Sequence, residues 1–251
     1  RRPAPMILGH EAAGVAQSGM YIGQRVTINP LVACGTCEFC ESGRENLCQQ
    51  RQIISMPPRE GSFAERVSMP LSNLVTVPEN VPLWQAALTE PMACGWHAVR
   101  LALGQAPEPA ERVEAVVLGG GAIGLSAALS LSIQGVSRIT VLETNAARRD
   151  RMRRALPQFD FEASFEDTSG SLPHLVVDAV GIAPTRKIAS TIVRPGGVIA
   201  HIGLGDNEGG LDVRRMTLQE IGFIGTYTYS AQDFRDTAFG SLGLEANMAG
   251  M

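Results

Sequence analysis

The stretch Leu118-Gly-Gly-Gly-Ala-Ile-Gly124 sets the architecture of the second half of the chain. A mainly apolar strand-like run, Val113–Leu118, leads into it, and a segment rich in Ala, Leu and Ser, Ala122–Gln134, follows it with helical character. Glycines at the first, third and sixth positions of such a strand–turn–helix unit are typical of a turn that lets a pyrophosphate approach the helix N-terminus. The sequence therefore predicts a dinucleotide site, with backbone contacts expected from Gly119, Gly121, Ala122, Ile123 and Gly124.

Strands and helices alternate on both sides of this turn. The predicted strands are Val113–Leu118, Ser137–Leu142, Leu175–Ala179, Gly197–Ile202 and Ile221–Thr226. The predicted helices between them are Ala122–Gln134, Ala146–Leu156 and Pro184–Val193. This alternation predicts an α/β domain with a parallel sheet and right-handed crossovers. The strands lack polar alternation, as expected when both faces of a sheet are covered.

Glu143 follows the second predicted strand, about 20 residues beyond the glycines, where an acid usually binds the ribose hydroxyls of NAD. Its carboxylate would repel a 2′-phosphate, which favours NAD over NADP. The basic run Arg148–Arg154 is the counter-argument for NADP, although such a run usually forms a solvated helix face. Arg148 alone is placed to lie over the adenine.

Four cysteines, Cys34, Cys37, Cys40 and Cys48, follow the spacing C-x2-C-x2-C-x7-C. Four thiolates close a tetrahedral shell around zinc and leave no open position, so the spacing predicts a structural zinc site. Disulfides and an iron–sulfur centre are the alternatives. The short spacings and the cofactor motif favour zinc. The fifth cysteine, Cys94, is predicted to be a small buried side chain.

The first part of the chain has a different predicted secondary structure, with short strands in place of alternating strands and helices. The runs Val26–Ile28, Phe63–Val67 and Leu74–Val77 predict short strands punctuated by Gly and Pro. Helices are expected within Trp84–Leu103, followed by a turn or linker over residues 104–110. A length of 251 residues suits two domains.

Composition narrows the function classes. The formal net charge of −4 gives no electrostatic case for nucleic acid or an anionic membrane as a partner. Considered alone, the cysteine lobe is also compatible with a zinc-ribbon protein that binds nucleic acid. The acidic net charge disfavours that alternative. No apolar run reaches membrane-spanning length, and the expected compartment is the cytoplasm.

Taken together, an ordered series of motifs resembles the zinc-containing medium-chain alcohol and polyol dehydrogenases, with a texture similar to the sorbitol, threonine and butanediol dehydrogenases. The resemblance runs from about Pro5 to about Phe239. Its motifs are Gly9-His-Glu-Ala-Ala-Gly14, Gly23-Gln-Arg-Val26, the four cysteines, Gly61-Ser-Phe-Ala-Glu65, Glu90-Pro-Met-Ala-Cys-Gly-Trp-His-Ala98, the glycine turn, Asp178-Ala-Val-Gly181 and Arg194-Pro-Gly-Gly197.

The resemblance implies two domains: a GroES-like β-rich catalytic domain over residues 1–103, lacking its N-terminal part, and a Rossmann NAD-binding domain over residues 104–240. Residues 241–251 would be the remnant of a C-terminal return to the first domain. The implied activity is hydride transfer between a small-molecule secondary alcohol or polyol and NAD, in a homodimer or homotetramer. One structural and one catalytic zinc are implied.

The resemblance also assigns the catalytic zinc. His10 would be a ligand through an imidazole nitrogen, and Glu11 would be an exchangeable ligand or a carboxylate beside the ion. Glu90 stands where the polyol branch has a Glu and would bind the ion directly or through water. Alternatively, Glu90 is simply an acid at a helix N-terminus, where the dipole favours it.

Five further residues are implied at the cofactor. Ile202, Gly203 and Leu204 would line the nicotinamide side of the pocket. Thr226 and Tyr227 would touch cofactor or substrate, with strand-end packing as the alternative.

One family feature lies outside the sequence. The first catalytic-zinc ligand of the family is a Cys upstream of Gly-His-Glu, and the sequence begins after that position, at Arg1. A non-catalytic NAD- and zinc-binding protein is therefore the alternative function.

Overall fold

The computed structural model describes residues 4–166 and 171–242. Contacts within the chain define two compact units. Among the described residues, the first unit contains residues 4–93 and 228–242, and the second contains residues 94–166 and 171–227. Within the two described ranges, no helix is long and apolar enough to cross a bilayer.

The described strands, in chain order, are β1 (Ala13–Val15), β2 (Arg25–Ile28), β3 (Leu31–Val32), β4 (Gln52–Ile53), β5 (Leu74–Thr76), β6 (Glu114–Leu118), β7 (Arg138–Leu142), β8 (Asp160–Glu162), β9 (Leu175–Asp178), β10 (Val198–His201) and β11 (Gly222–Gly225). The α-helices are α1 (Glu38–Glu41), α2 (Leu83–Ala87), α3 (Thr89–Leu103), α4 (Ala122–Ile133), α5 (Ala146–Ala155), α6 (Ala183–Ile192), α7 (Val213–Leu218) and α8 (Ala231–Leu242).

The first unit is built on a small antiparallel sheet in the order β1-β2-β5, with β3 and β4 as a separate pair. Helix α2 packs against β1 and β2. Val26, Ile28 and Val75 are buried in this layer. The Thr27 hydroxyl donates to the Ala86 carbonyl oxygen at 2.8 Å and so ties the sheet to the end of α2.

The predicted strand Phe63–Val67 is wrong. Consecutive N–H groups of Gly61, Ser62 and Phe63 donate to carbonyl oxygens of residues 7–9, a pattern that no strand ladder allows, since ladder bonds alternate along a strand. The Phe63 side chain is 78% exposed, so its apolar character does not report burial.

The second unit is a six-stranded, all-parallel sheet in the order β11-β10-β9-β6-β7-β8. The five strands predicted for this half are confirmed, each to within one residue at either end. β8 was not among them. The predicted doubly wound architecture is confirmed, because the chain runs outward from β6 to β8 and then returns to β9 on the other side of β6.

This reversal places β6 and β9 side by side, and ligands of open α/β sheets bind at such a switch point, outside the carboxyl ends of the strands. Helix α3 begins in the first unit and ends in the second. The division into residues 1–103, 104–240 and 241–251 stays a prediction, and residues 243–251 lie outside the described residues.

Candidate metal and dinucleotide sites

The turn between β6 and α4 requires glycine at two positions. Gly119 has a φ of +96°, in the left-handed region that favours glycine. A Cβ on Gly124 would lie 1.8 Å from the Gly119 carbonyl oxygen, so α4 can start this close to β6 only with glycine there. At Gly121, in contrast, an added Cβ would meet nothing within 4 Å.

The N-terminus of α4 faces this open space. Gly121 is the N-cap residue, and the N–H of Leu125 donates to its carbonyl oxygen at 2.9 Å. The N–H groups of Ala122, Ile123 and Gly124 precede the first helical hydrogen bond and have no partner within the helix. Such groups, with the helix dipole behind them, bind phosphate oxygens. The geometry therefore fits the pyrophosphate of a dinucleotide.

A cavity of about 850 Å³ opens beside the glycine turn. Gly119, Gly121, Glu143, Arg148 and Phe165 are among its lining residues. The cavity lies at the carboxyl ends of β6, β7 and β9, and its walls are mainly apolar with a few polar groups. Cofactor sites commonly have this composition.

Both carboxylate oxygens of Glu143 accept hydrogen bonds. The N–H of Asn145 donates to Oε1 at 2.8 Å, and the N–H of Gly120 donates to Oε2 at 3.1 Å. The Arg148 guanidinium also donates to Oε2, at 2.9 Å. Burial by itself raises the pKa of Glu143, but these three hydrogen bonds outweigh it and lower the pKa below its ordinary value. The carboxylate is therefore ionised at neutral pH and fixed at the cavity wall.

The turns that follow β9 and β10 pack backbone against backbone. A Cβ on Gly181 would lie 2.1 Å from the Gly203 carbonyl oxygen, and one on Gly203 would lie 2.2 Å from the Val180 carbonyl carbon. The N–H groups of Ile202 and Gly203 both donate to the Asp178 carbonyl oxygen, at 3.0 and 3.1 Å. The backbone of Ile202 and Gly203, in the segment predicted to line the nicotinamide, is thus fixed by the turn that follows β9.

Leu204 follows this contact with its side chain 86% exposed. The N–H and hydroxyl of Thr226 donate to the His201 carbonyl oxygen at 3.0 and 3.1 Å, which joins the ends of β10 and β11. The five residues predicted at the nicotinamide, including Tyr227, do not line the Glu143 cavity. Their contacts with cofactor or substrate stay predictions.

The sulfurs of the four clustered cysteines form one group within 4.8 Å. Cys40 Sγ lies 3.8 Å from Cys34 Sγ and 3.5 Å from Cys37 Sγ. Zinc–sulfur bonds of about 2.3 Å in a tetrahedron give sulfur–sulfur distances of about 3.8 Å, so the spacing fits a four-cysteine zinc site. All four thiols are free of disulfides. The fifth cysteine, Cys94, lies outside this group and is half-buried, so it is less buried than predicted.

The proton affinities of the clustered thiols also fit a cation. A hydrogen bond from the backbone of Thr36 lowers the pKa of Cys34 to about 6. Burial and the neighbouring sulfurs raise the pKa of Cys40. Four adjacent sulfurs cannot all ionise without a positive charge among them, whereas zinc takes them all as thiolates.

A second group of possible metal ligands consists of His10, Glu11 and Glu90, whose donor atoms lie within 4.8 Å of one another. The backbone just before His10 is fixed by the hydrogen bonds from residues 61–63. The backbone just after Glu11 is fixed because the Ala12 carbonyl oxygen accepts from the N–H of Ile28, at 3.0 Å. His10 is half-buried and Glu11 is exposed.

Glu90 lies in the first turn of α3 and is buried. Tyr229, itself 2% exposed, donates its hydroxyl to Glu90 Oε1 at 2.9 Å. Burial raises the pKa of Glu90 to about 7; the Tyr229 hydrogen bond opposes this rise, and the negative charge of Glu11 adds to it.

These observations fit a divalent cation, because zinc binds both imidazole nitrogen and carboxylate oxygen, and a cation would stabilise both carboxylates in their ionised form. Tyr229 was not predicted. It lies 139 positions beyond Glu90 in the chain. The adjacent Ser230-Ala-Gln-Asp233 has the form of a helix-capping box, and this pattern could have predicted the start of a helix directly after Tyr229.

Comparisons with known proteins agree with both halves of this description. Residues 1–79 match the family profile described as alcohol dehydrogenase GroES-like domain, and residues 122–240 match the one described as zinc-binding dehydrogenase. L-Galactonate-5-dehydrogenase of Escherichia coli K12 is 33% identical over 244 residues, which cover 92% of this chain and 69% of the relative. The Aspergillus clavatus protein named "Probable D-xylulose reductase A" is 29% identical over 249 residues, covering 92% of this chain and 68% of the relative.

Solved structures show the same fold. A short chain alcohol dehydrogenase from E. coli CFT073, complexed with NADH, superposes with a TM-score of 0.79 at 23% identity, over 94% of this chain and 72% of that one. A structure from Sinorhizobium meliloti 1021 that is bound to NADP gives a TM-score of 0.81 at 23% identity, over 96% and 75% of the two chains. The likeness confirms the GroES-like and Rossmann architectures.

Proposed function

This chain belongs to the zinc-containing medium-chain polyol dehydrogenase family, and from that membership we propose that it transfers a hydride between a secondary alcohol or polyol and NAD. The observation that carries the proposal is the His10, Glu11 and Glu90 group, found in a chain that also has the glycine turn of a dinucleotide site.

The dinucleotide would lie with its pyrophosphate at the N-terminus of α4 and its adenosine half in the cavity beside Glu143. The Glu143 carboxylate is ionised and fixed, so it can accept hydrogen bonds from ribose hydroxyls. A 2′-phosphate would bring a second negative charge to the same place. We therefore propose NAD as the preferred cofactor.

Two zinc ions are part of the proposal. The four clustered cysteines would hold the structural ion, and His10, Glu11 and Glu90 would hold the catalytic one. When bound, the catalytic zinc supplies Lewis acidity toward the alcohol, and the nicotinamide ring of NAD accepts the hydride. The alcohol carbon is oxidised to a carbonyl, and its hydroxyl proton is released.

Three residues of the chain would position the catalytic zinc and the substrate. Glu90 supplies a buried carboxylate, and the Tyr229 hydroxyl fixes its orientation by donating to Oε1 at 2.9 Å. Glu11 is exposed, which suits a carboxylate that exchanges with substrate or solvent. His10 supplies an imidazole nitrogen between two backbone segments that are fixed on either side.

The test is NADH formation, followed by absorbance, with a panel of polyols, secondary alcohols and threonine, on protein shown to hold two zinc ions. Turnover with at least one polyol or secondary alcohol is expected, together with loss of turnover in His10→Ala. Absence of turnover from protein with two zincs and measurable NAD binding would favour the alternative, a non-catalytic NAD- and zinc-binding protein.

We also propose a homodimer or homotetramer, because β11 lies at the edge of its sheet and carries the half-exposed Phe223. Pairing of two such edges would extend the sheet across a two-fold axis. Sedimentation as a monomer at micromolar concentration would contradict this. The cytoplasm is the proposed compartment, consistent with a cysteine set without disulfides.

A further inference from the structure

Helix α8 returns the chain to the first unit, and its N-terminus is capped reciprocally. The N–H and the hydroxyl of Ser230 both donate to Asp233 Oδ2, at 3.0 and 2.7 Å. The N–H of Asp233 donates back to Ser230 Oγ at 3.1 Å. Both residues are buried. These reciprocal hydrogen bonds fix the position at which α8 begins, directly after Ser230.

Tyr229 is the residue immediately before this cap. Its ring packs on Phe234 in α8 with a centroid distance of 5.6 Å, and both side chains are buried. Its hydroxyl donates to Glu90 Oε1 at 2.9 Å. A movement of the α8 N-terminus would therefore move the hydroxyl that holds Glu90.

The cysteine lobe contacts the same helix end. Glu45 lies between Cys40 and Cys48, in a short 3-10 turn, Glu45–Leu47, that closes with a hydrogen bond from the N–H of Cys48 to the Glu45 carbonyl oxygen at 3.1 Å. Glu45 Oε2 accepts from the N–H of Ala231, the first residue of α8, at 3.2 Å. A carboxylate at this place also interacts favourably with the helix dipole.

We propose that Glu45 is a positioning residue for Glu90, acting through the N-terminus of α8 and the Tyr229 hydroxyl, so that the cysteine lobe sets the metal affinity of the second donor group. This inference rests on the proposed function, because it requires a zinc ion at His10, Glu11 and Glu90. Every contact in the path lies within the first unit: Glu45 to Ala231, the Ser230 cap, and Tyr229 to Glu90.

The path predicts a definite order of effects on zinc affinity. Tyr229→Phe removes the direct partner of Glu90 and should raise the Kd of the more weakly bound zinc by about tenfold, the lower end of what loss of an outer partner costs a metal site. Glu45→Ala acts one step further away and should raise it by about threefold. Glu45→Gln keeps an oxygen acceptor and should stay within about twofold of the unmodified protein.

The experiment is zinc titration of the whole chain against a chromogenic chelator, with zinc content measured in parallel. The decisive sample is the double variant Glu45→Ala with Tyr229→Phe. Since Glu45 acts through the Tyr229 hydroxyl, the double variant should match Tyr229→Phe alone. Glu41→Ala removes an exposed acid of the same lobe and should change nothing, which controls for the lost charge.

Additive losses in the double variant would overturn the inference and leave the proposed function intact. So would a Glu45→Ala affinity equal to that of the unmodified protein. If the unmodified protein binds only the cysteine-held zinc, the proposed catalytic site fails, and the inference fails with it. Should Tyr229→Phe not fold, the loss in Glu45→Ala and its rescue in Glu45→Gln still decide the question.

Discussion

The Arg148 guanidinium donates to Glu143 Oε2 at 2.9 Å, and this ion pair joins a side chain that is 52% exposed to one that is 7% exposed. The carboxylate at the proposed ribose position is thus partly neutralised from the solvent side. Discrimination between NAD and NADP then depends on both residues and not on the acid alone.

Glu143→Ala should weaken NAD binding more than NADP binding, because the lost carboxylate is the proposed acceptor for the ribose hydroxyls. We expect an increase in Kd for NAD of about tenfold, typical of a lost hydrogen bond to a charged group. Calorimetric titration with each cofactor measures both values. Equal loss of the two affinities would remove Glu143 from this role.

Arg148→Ala should have the opposite effect on preference. It leaves the Glu143 charge without its guanidinium partner, so a 2′-phosphate should be repelled more strongly and the NAD-to-NADP affinity ratio should rise. Arg151→Ala, an exposed arginine on the same helix α5, is the matched control and should leave the ratio unchanged. A fall in the ratio for Arg148→Ala would contradict the proposed geometry.

Gly121→Ala and Gly124→Ala should separate folding from cofactor binding. The Cβ at Gly121 meets no protein atom, so this variant should lose at most about 1 kcal/mol of stability, from the weaker N-cap preference of alanine. It should bind NAD at least about tenfold more weakly, because the methyl group enters the pyrophosphate space. The Cβ at Gly124 would collide with the Gly119 carbonyl oxygen.

Gly124→Ala should therefore lower the free energy of unfolding by about 2–3 kcal/mol, the scale of an overpacked contact. Thermal unfolding and NAD titration of both variants provide the check. Undiminished NAD binding by Gly121→Ala would show that the pyrophosphate lies elsewhere.

Cys40→Ser should lose one zinc ion and destabilise the cysteine lobe, because metal binding at such a site is folding free energy. We expect a loss of about 4 kcal/mol in the free energy of unfolding, at the upper end for a single substitution, because loss of a metal is one of the few causes of effects this large. Cys94→Ser is the control, since Cys94 lies outside both groups of metal ligands. Retained thermal stability in zinc-free Cys40→Ser would be inconsistent with a structural ion.

The raised pKa of Glu90 predicts a pH dependence of stability in chelator-treated protein. Between its ordinary pKa of 4.5 and about 7, the folded state holds a proton that the unfolded state has lost. The free energy of unfolding should therefore fall as pH rises through this window, by up to about 3 kcal/mol. Denaturant unfolding of Glu90→Gln should lack this component, and identical pH profiles for the two proteins would refute it.

The parallel sheet could be predicted because its strands are short, mainly apolar segments bounded by Gly and polar residues, and because burial of the central strands on both faces favours that pattern. β8 was missed because it is a three-residue edge strand, Asp160–Glu162, in which only Phe161 is buried. Edge strands carry little of the apolar signal on which such predictions depend.

The two groups of metal ligands differ in how far they can be predicted from local sequence. The spacing of the four clustered cysteines is local, so the sequence alone indicated it. The approach of Glu90 to His10 and Glu11 could be inferred only through the family resemblance, because Glu90 lies 79 positions beyond Glu11 and no short-range pattern links them. Tyr229 lies further still along the chain, and helix α8, which carries its ring partner, was not predicted.

The contact between Gly181 and Gly203 has a consequence for engineering. The two turns pack backbone against backbone, and neither can accept a side chain at its glycine without displacing the other. They must therefore be transferred together when segments are exchanged with a related protein. A chimaera that imports only one of them from a relative would bring a mismatched surface to the carboxyl edge of the sheet. Mutagenesis of the proposed nicotinamide segment should therefore leave both glycines fixed and vary Leu204, whose exposed side chain has room to change.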